Sequence, residues 1–270
     1  MDDLKSDLKT TQKMIENMLA RARERLHEKK PPLEVYPHIT VVVPAYNEEK
    51  YLPKCLEAIK AQNYPKDKFD IVVANNNSKD KTAELAKKAG ATVVNEDKQG
   101  HVFALNSGMH AAKGEIIAVT DADTLVSPDW LDVIARVFQD EEVVGVTGSA
   151  YYNSGSKMNE YLGKISYSMF VRFHFALNKP HFSGLNLAVK KSAFMEIKGL
   201  DTRYETFGDI ELGLRIKKVG KVLFCEDMLV ASSPRRWEKG SIEDYYKYLN
   251  SYFNTMWLKR PPKSVLTPRR

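Results

Sequence analysis

The stretch Glu115-Ile-Ile-Ala-Val-Thr-Asp-Ala-Asp123 is where the fold prediction starts. Its apolar, β-branched run predicts a buried strand, and that strand ends in two aspartates one residue apart. Side chains at i and i+2 of an extended chain point the same way, so Asp121 and Asp123 are expected to converge on one cation. Such oxygen ligands suit Mg²⁺ or Mn²⁺, which usually hold a substrate's phosphates. The alternative is a solvated turn in which Asp123 caps a helix.

On either side of this stretch, apolar runs alternate with amphipathic segments. The pattern predicts strands at 39–43, 69–74, 91–94, 115–120 and 143–147, and helices at 49–61, 80–90, 101–112 and 128–139. Asn47 and Asp80 are the expected helix caps. This alternation predicts an α/β fold, a Rossmann-like and mostly parallel central sheet with helices on both faces. Beyond residue 150 the pattern changes, with an aromatic, less regular segment at 151–178, strands at 183–189 and 221–225, and helices at 191–196 and 209–219.

The two ends of the chain carry further helical patterns. Residues 1–30 have an apolar stripe and end at Pro31-Pro32, which predicts a helix packed on the main domain or a coiled coil that makes a homodimer. Residues 242–259 predict a helix rich in Tyr and Trp, followed by Lys and Arg, as in helices that lie at a membrane surface. Alternatively, these aromatic residues pack on the core or close the active site. The resulting domain plan is 1–37, 38–240 (halves 38–123 and 124–240) and 241–270.

Composition narrows the function. The net charge is +6, which suits an anionic ligand or membrane surface, but no dense basic stripe indicates nucleic acid. The two cysteines, Cys55 and Cys225, are far apart and match no zinc-binding spacing. No apolar run approaches the length of a membrane span, and the acidic start lacks a signal region. We therefore expect a cytoplasmic protein, soluble or peripheral on the inner face of the plasma membrane.

Three motifs follow predicted strands or begin a helix in the first half. Val43-Pro44-Ala45-Tyr46-Asn47-Glu48 ends the first strand and leaves Tyr46 and backbone groups able to contact a flat base, unless it is only a tight turn. Asn75 and Asn76 follow the second strand, and their amides can satisfy backbone groups or read a nucleotide base. Gly100-His101 begins a helix, where phosphate is favoured.

Three motifs in the second half are candidates for the acceptor side. The small-residue turn Ser183-Gly184 can let a sugar approach the backbone, or it is a bulge. Asp209 begins a helix, so it is either a general base or a helix-capping acid. Arg235-Arg236-Trp237 can bind phosphate or simply cover the surface.

In this order and rough spacing, the motifs resemble family 2 glycosyltransferases with the GT-A fold, over about residues 38–240. The resemblance implies an inverting, non-processive transfer of a sugar from a nucleotide-diphospho-sugar to a hydroxyl or lipid-linked acceptor, with Mn²⁺ or Mg²⁺. It implies Asp209 as the catalytic base, Asp121 near the ribose and Asp123 on the metal. The implied nucleotide-sugar contacts are Pro44, Ala45, Tyr46, Glu48, Asn75, Asn76, Gly100, His101, Asp121 and Asp123. The implied acceptor or donor-sugar contacts are Ser183, Gly184, Arg235, Arg236 and Trp237.

Departures from the family pattern refine these expectations. Asn75-Asn76 replaces an acidic pair, and an amide reads guanine's two adjacent donors less well than a carboxylate, so a uridine donor is favoured. His101 replaces a lysine often found there, and Gly208 replaces a glutamate. Only the Arg-Trp half of the processive Q-x-x-R-W signature remains, so polymer synthesis is not expected.

Three other readings stay open from sequence. A nucleotidyltransferase would need a glycine-rich phosphate loop after the first strand, where Pro44–Glu48 stands instead. A non-catalytic nucleotide-sugar-binding module is compatible with the departures. A polyprenyl-phosphate glycosyltransferase is compatible with the aromatic, basic tail.

Overall fold

The computed structural model describes residues 33–152, 157–233 and 242–261. The predicted helix at 1–30 and its coiled-coil alternative lie outside these ranges. So do Arg235, Arg236 and Trp237, and the basic residues from Lys263 onward.

One eight-stranded sheet organises the described chain. Its strands are β1 (Ile39–Ala45), β2 (Phe69–Asn75), β3 (Thr92–Asn95), β4 (Ile116–Val119), β5 (Thr124–Val126), β6 (Val143–Tyr152), β7 (Leu187–Lys190) and β8 (Lys221–Ser232). Their order across the sheet is β3-β2-β1-β4-β7-β6-β8-β5. β1 is parallel to β2 and β4, β2 to β3, and β6 to β8, whereas β7 is antiparallel to β4 and β6, and β5 to β8. The predicted α/β class is therefore correct, but only the first half of the sheet is wholly parallel.

Eight helices are described with this sheet. They are α1 (Leu52–Lys60), α2 (Thr82–Lys88), α3 (His101–Ala111), α4 (Trp130–Val137), α5 (Lys157–Ala176), α6 (Lys191–Glu196), α7 (Gly208–Ile216) and α8 (Ile242–Phe253), and a π-helical turn, Asn254–Leu258, follows α8. No helix within the described ranges is long and apolar enough to cross a bilayer.

The central strand β1 shows that both faces of the sheet are covered. Val42 packs against Gly108 of α3 so closely that a Cβ at Gly108 would lie 2.6 Å from Val42 Cγ1. Ile39, Val41 and Val43 point to the other face, because side chains alternate along a strand, and they are fully buried too. A strand buried on both sides has no polar alternation, which is why its sequence reads as a continuous apolar run.

The structure corrects two predictions in the second half. Residues 157–176, within the segment expected to be less regular, form the longest helix described, because Leu, Met and Lys favour helix and the only glycine, Gly163, lies at an open position. The strand expected at 183–189 begins only at Leu187. Residues 183–186 instead form a turn in which the Asn186 N–H donates to the Ser183 carbonyl at 2.9 Å.

Buried Asn186 holds the strands of the second half together. Its amide nitrogen donates to the carbonyls of Ser149 and Met228 at 2.8 and 2.7 Å, and its oxygen accepts from the Trp130 indole N–H at 2.8 Å. The turn before β7 is thereby fixed to β6, β8 and α4. A buried amide with its hydrogen bonds satisfied specifies one arrangement of these elements.

Candidate active site

The turns that follow β1 and β2 are tied to each other by side chains. The Asn47 N–H donates to Ser78 Oγ at 3.0 Å, and Asn47 Oδ1 accepts from the Lys79 N–H at 2.8 Å. The Glu48 N–H donates to Thr82 Oγ1 at 2.7 Å. The expected helix cap at Asn47 is therefore wrong: this residue is left-handed, with φ of 54°, and α1 begins only at Leu52. Asn47 instead joins the two turns at the sheet edge.

These turns place the first group of candidate nucleotide contacts. Pro44 and Ala45 are buried at the end of β1, Tyr46 is partly buried in the turn, and Glu48 is buried behind it. Because β1 and β2 run in register, Ala45 lies beside Asn75 at the same carboxyl edge. Ligands of open α/β sheets bind outside this edge.

The side-chain amide of Asn76 is hydrogen-bonded to the loop at 96–100 and leaves no group for a ligand. Its Nδ2 donates to the carbonyls of Glu96 and Lys98 at 3.1 and 2.7 Å. Its Oδ1 accepts from the Gly100 N–H at 2.8 Å and from Gln99 Nε2 at 3.2 Å. The expectation that this amide reads the base therefore needs correction, because its two donors and two acceptor positions are all engaged.

Asn75 is engaged in a similar way. Its Nδ2 donates to Asn95 Oδ1 at 2.9 Å, and its Oδ1 accepts from the Ser78 N–H at 3.3 Å. Both asparagines thus shape the wall between the turn after β2 and the loop that leads to α3.

Asp121 and Asp123 follow β4 in a turn rather than in an extended chain. The Thr124 N–H donates to the Asp121 carbonyl at 3.1 Å, which closes the turn before β5. The alternation argument for their convergence is therefore wrong, although both remain at the carboxyl end of β4 and are partly buried. Asp123 does not cap a helix, since β5 follows it.

The two carboxylates fit the oxygen ligands that Mg²⁺ or Mn²⁺ takes. The negative charges of both carboxylates reach the buried Cys55 thiol, whose Sγ donates to the Asp121 carbonyl at 3.5 Å. Burial raises the pKa of this thiol most, and the negative charges of Asp123 and Asp121 raise it further. Within the described residues no cluster of three His, Cys, Asp or Glu side chains forms a complete cage. One or two carboxylates plus substrate phosphates is the usual Mg²⁺ arrangement.

His101 lies between the two halves of the site. Its Nε2 is 3.5 Å from Asp121 Oδ1, in the turn that follows β4. A Cβ at Gly184 would lie 3.5 Å from His101 Cε1 and 3.4 Å from Asp209 Oδ2 on the other side. His101, at the first turn of α3, thus joins Asp121 to the turn that carries Ser183 and Gly184.

Asp209 is placed by the backbone of two segments. Its Oδ2 accepts from the Gly184 N–H at 2.6 Å, and its Oδ1 accepts from the Ile210 N–H at 3.0 Å. Burial raises the pKa of this carboxyl above its ordinary value, and the Asp121 charge acts in the same direction. The Gly184 hydrogen bond, the His101 ring and the Ile210 hydrogen bond oppose that rise. A carboxylate whose pKa is raised in a cleft is suited to accept a proton.

A network behind Asp209 was not predicted from sequence. Tyr252 of α8 has its hydroxyl 2.9 Å from His174 Nε2 and 3.2 Å from His181 Nδ1. His174 Nδ1 lies 2.8 Å from the Phe170 carbonyl, which can only accept, so His174 Nε2 is the acceptor for Tyr252 when the ring is neutral. Burial, the larger cause, and the neighbouring His174 together lower the pKa of His181 to about 3.

Phe207 connects α8 to the segment that leads to Asp209. Its ring packs edge-on against Tyr248 and Tyr252, with centroids 4.8 and 5.6 Å apart. Phe207 directly precedes Gly208-Asp209, so α8 contacts both segments that hold the carboxyl. The aromatic spacing of α8 was a usable signal, but its partners, His174 and His181, could not be assigned from sequence.

The comparisons with known proteins agree with this geometry. The model of glycosyl transferase family 2 matches residues 40–198, more than half of the chain. Glycosyltransferase AglE of Haloferax volcanii is 31% identical over 46% of this chain and 44% of its own length. A Methanococcus voltae relative, named a dolichyl N-acetyl-alpha-D-glucosaminyl phosphate 3-beta-D-2,3-diacetamido-2,3-dideoxy-beta-D-glucuronosyltransferase, is 24% identical over 82% of this chain and 77% of its own length.

Solved structures confirm the GT-A fold. The mannosyltransferase PcManGT from Pyrobaculum calidifontis, in complex with GDP-Man and Mn²⁺, has a TM-score of 0.65 at 22% identity and covers 93% of this chain and 73% of its own. S. aureus TarS 1-349, in complex with UDP-GlcNAc, has a TM-score of 0.62 at 14% identity and covers 81% of this chain and 66% of its own. This chain belongs to glycosyl transferase family 2.

Proposed function

We propose that this protein is an inverting, metal-dependent glycosyltransferase with Asp209 as its general base. The observation that carries the proposal is that His101 lies beside both Asp121 and the Gly184–Asp209 pair. Asp121 and the Gly184–Asp209 pair therefore lie on either side of the same histidine. A donor held at one and an acceptor deprotonated at the other would meet between them.

The residues of this chain divide the work of one displacement. Asp209 takes the proton of the attacking hydroxyl as the new glycosidic bond forms, and the bond to the nucleoside diphosphate breaks on the opposite side of the anomeric carbon. One such step inverts the anomeric configuration, so no second carboxylate nucleophile is needed. Asp123 and Asp121 would hold Mn²⁺ or Mg²⁺, which neutralises charge on a diphosphate leaving group. His101 can orient Asp121, since its Nε2 lies 3.5 Å from Asp121 Oδ1.

A UDP-sugar is the donor that we favour. Guanine presents two adjacent donors that a carboxylate accepts well, and Asn76 stands where the family commonly has an acidic residue. The oxygen of Asn76 already accepts from Gln99 and Gly100, so the preference for uridine rests on the missing carboxylate and not on a free acceptor at Asn76. TarS is a neighbour with UDP-GlcNAc and PcManGT one with GDP-Man, so these two nucleotides are the pair to compare.

A lipid-linked acceptor is the class that we favour. The Methanococcus voltae relative is named for a dolichyl-phosphate-linked sugar. In this chain, Tyr246, Phe253 and Trp257 of the C-terminal region face outward, whereas the Tyr252 hydroxyl contacts His174 and His181. Contact of residues 242–270 with a membrane surface would bring such an acceptor to the Asp209 side, with the protein peripheral on the cytoplasmic face.

A thermal-shift screen of UDP- and GDP-sugars, with and without Mn²⁺, tests the donor. The correct donor at about one hundred times its Kd should stabilise the protein by roughly 2.7 kcal/mol, and only with the metal. Equal shifts with and without Mn²⁺ would contradict the metal role. Binding without any release of nucleoside diphosphate, in the presence of acceptor lipids, would instead identify a non-catalytic binding module.

A further inference from the structure

The outward face of α5 is apolar along almost its whole length. Its inward face holds Ser168, Val171 and His174, which are buried. The outward face repeats at three- and four-residue intervals and is exposed, with Met169 at 65% and Phe173 at 58% of their full surface. Its apolar members are Met158, Leu162, Ile165, Met169, Phe173 and Leu177. A helix of a soluble domain normally turns a polar face outward, so this face indicates a partner.

A second exposed apolar segment lies beside the end of α5. Phe253, Trp257 and Leu258 are exposed at the end of α8 and in the turn after it. The two segments meet at Lys179, whose Nζ is 3.9 Å from the centre of the Trp257 ring and donates to the Met256 carbonyl at 3.2 Å. The α5 stripe and residues 253–258 therefore adjoin at this lysine.

Lysines gather at the same place. Lys217 Nζ donates to the Asn178 carbonyl at the end of α5, which brings α7 to this corner. Burial lowers the pKa of Lys217, and the positive charges of Lys259, Lys179 and Lys218 lower it further. Lys218, Lys259 and Arg260 are exposed. Like charges collected at the end of an apolar stripe are a recognisable feature of surfaces that bind anionic lipids.

We propose that α5, residues 253–260 and the lysines at 179, 217 and 218 form one docking face for an anionic lipid bilayer. The positive charge of this face favours an anionic bilayer over a second copy of the chain. A second copy would bring the same lysines and the same net charge of +6 to the contact. Arg172 on the same face forms an ion pair with Glu226 at 3.0 Å. The negative charge of Glu226 is therefore balanced and does not offset the charge of the lysines.

The docking face extends to the loop that leads to Gly184 and the proposed base, Asp209. Phe170 of α5 is partly exposed, and its ring is 5.0 Å from the ring of His181. Three residues later, Gly184 donates its N–H to Asp209. An acceptor whose lipid tail stays in the bilayer would therefore present its head group from this direction. The inference deepens the proposed lipid-linked acceptor, but lipid binding itself does not depend on the transfer reaction.

Sedimentation with vesicles tests the docking face on the full chain. Phosphatidylcholine vesicles that contain phosphatidylglycerol should bind the wild type, and pure phosphatidylcholine vesicles should bind it much less. The pair Lys218→Gln and Lys259→Gln should lower the partition coefficient about 30-fold, from about 1 kcal/mol for each charge near the surface. The pair Met169→Gln and Phe173→Gln should lower it roughly tenfold or more.

Matched control variants lie elsewhere on the surface. Lys87→Gln with Lys88→Gln removes two exposed charges from α2, and Val35→Gln with Met195→Gln removes two exposed apolar side chains. Both control pairs should bind vesicles like the wild type, and circular dichroism should show all four proteins folded alike.

Three results would overturn the inference. Wild type that stays in the supernatant with anionic vesicles would refute it directly, whether or not the protein transfers sugar. Equal losses in the control pairs would show that the docking face has no special part. A wild-type dimer in analytical ultracentrifugation that Met169→Gln with Phe173→Gln makes monomeric, without vesicle binding, would assign the face to a second copy.

Discussion

The proposed donor side and the proposed acceptor side of the site are built in different ways. On the donor side, the candidate groups come from turns directly after β1, β2 and β4, and parallel pairing brings these turns to one edge. On the proposed acceptor side, Asp209 is held by Gly184, twenty-five residues away in the chain, and Tyr252 of α8 contacts His181 in the loop that leads to Gly184. Donor-side geometry therefore follows from topology, whereas acceptor-side geometry follows from packing between distant segments.

Asp209→Asn should separate the two sides most strongly. The amide cannot accept the hydroxyl proton, so we expect kcat to fall about 10³-fold, within the range for loss of a general base. Donor affinity, set on the other side, should stay within a factor of two or so of wild type by calorimetry. Glu205→Gln, at an exposed position nearby, is the matched control and should keep full activity. An active Asp209→Asn variant would remove the base from the mechanism.

The pH dependence of kcat/KM should report the same carboxyl. A general base acts only when deprotonated, and burial raises the pKa of the proposed base, Asp209. Activity should therefore decline about tenfold per pH unit below a midpoint that lies higher than the usual titration range of an exposed aspartate. Donor binding followed by calorimetry should not share this midpoint. A shared midpoint would place the titrating group on the donor side.

Asn76→Asp probes the donor side alone. The carboxylate would lie against the carbonyls of Glu96 and Lys98, to which the amide now donates, so we expect a loss of roughly 2–3 kcal/mol in unfolding free energy. Donor KM should rise as the wall at 96–100 moves. Asn77→Asp is the control, since Asn77 is exposed and its Oδ1 already accepts from Lys79 Nζ at 3.1 Å. Equal stability of the two variants in urea unfolding would show that the Asn76 bonds are not needed.

Tyr252→Phe should give the smallest effect, on the acceptor side. The ring is kept, but His174 and His181 lose the hydroxyl between them, so the loop that carries Gly184 is held less firmly. We expect kcat to fall several-fold with donor KM unchanged, and stability to fall by about 1 kcal/mol. Tyr246→Phe, on the same helix and 69% exposed, should change neither. A raised donor KM with normal kcat would contradict the division between the two sides.

This division also explains what could be predicted from sequence. The turns at Pro44–Glu48, Asn75-Asn76 and Asp121–Asp123 were found because an apolar strand that ends in polar residues is a local signal. Their detailed roles were not found: Asn76 engages a loop twenty residues away, and Asn47 is left-handed instead of capping a helix. Asp209 was found at a predicted helix start, but only the family resemblance favoured a general base over a helix-capping acid. The contacts of Tyr252 join segments more than seventy residues apart, which no local pattern encodes.

Phe207 shows what this dependence on packing implies. It is a bulky residue with φ of 65° and ψ of 30°, a backbone conformation that such side chains rarely adopt and that costs about 1 kcal/mol or more. Tyr248 and Tyr252 hold its ring from one side, so part of the energy gained when α8 docks offsets this backbone cost just before Asp209. In a protein truncated before residue 242, the backbone at Phe207 would relax first. Such a protein would still bind its donor, but Asp209 would no longer be held in position to accept the proton.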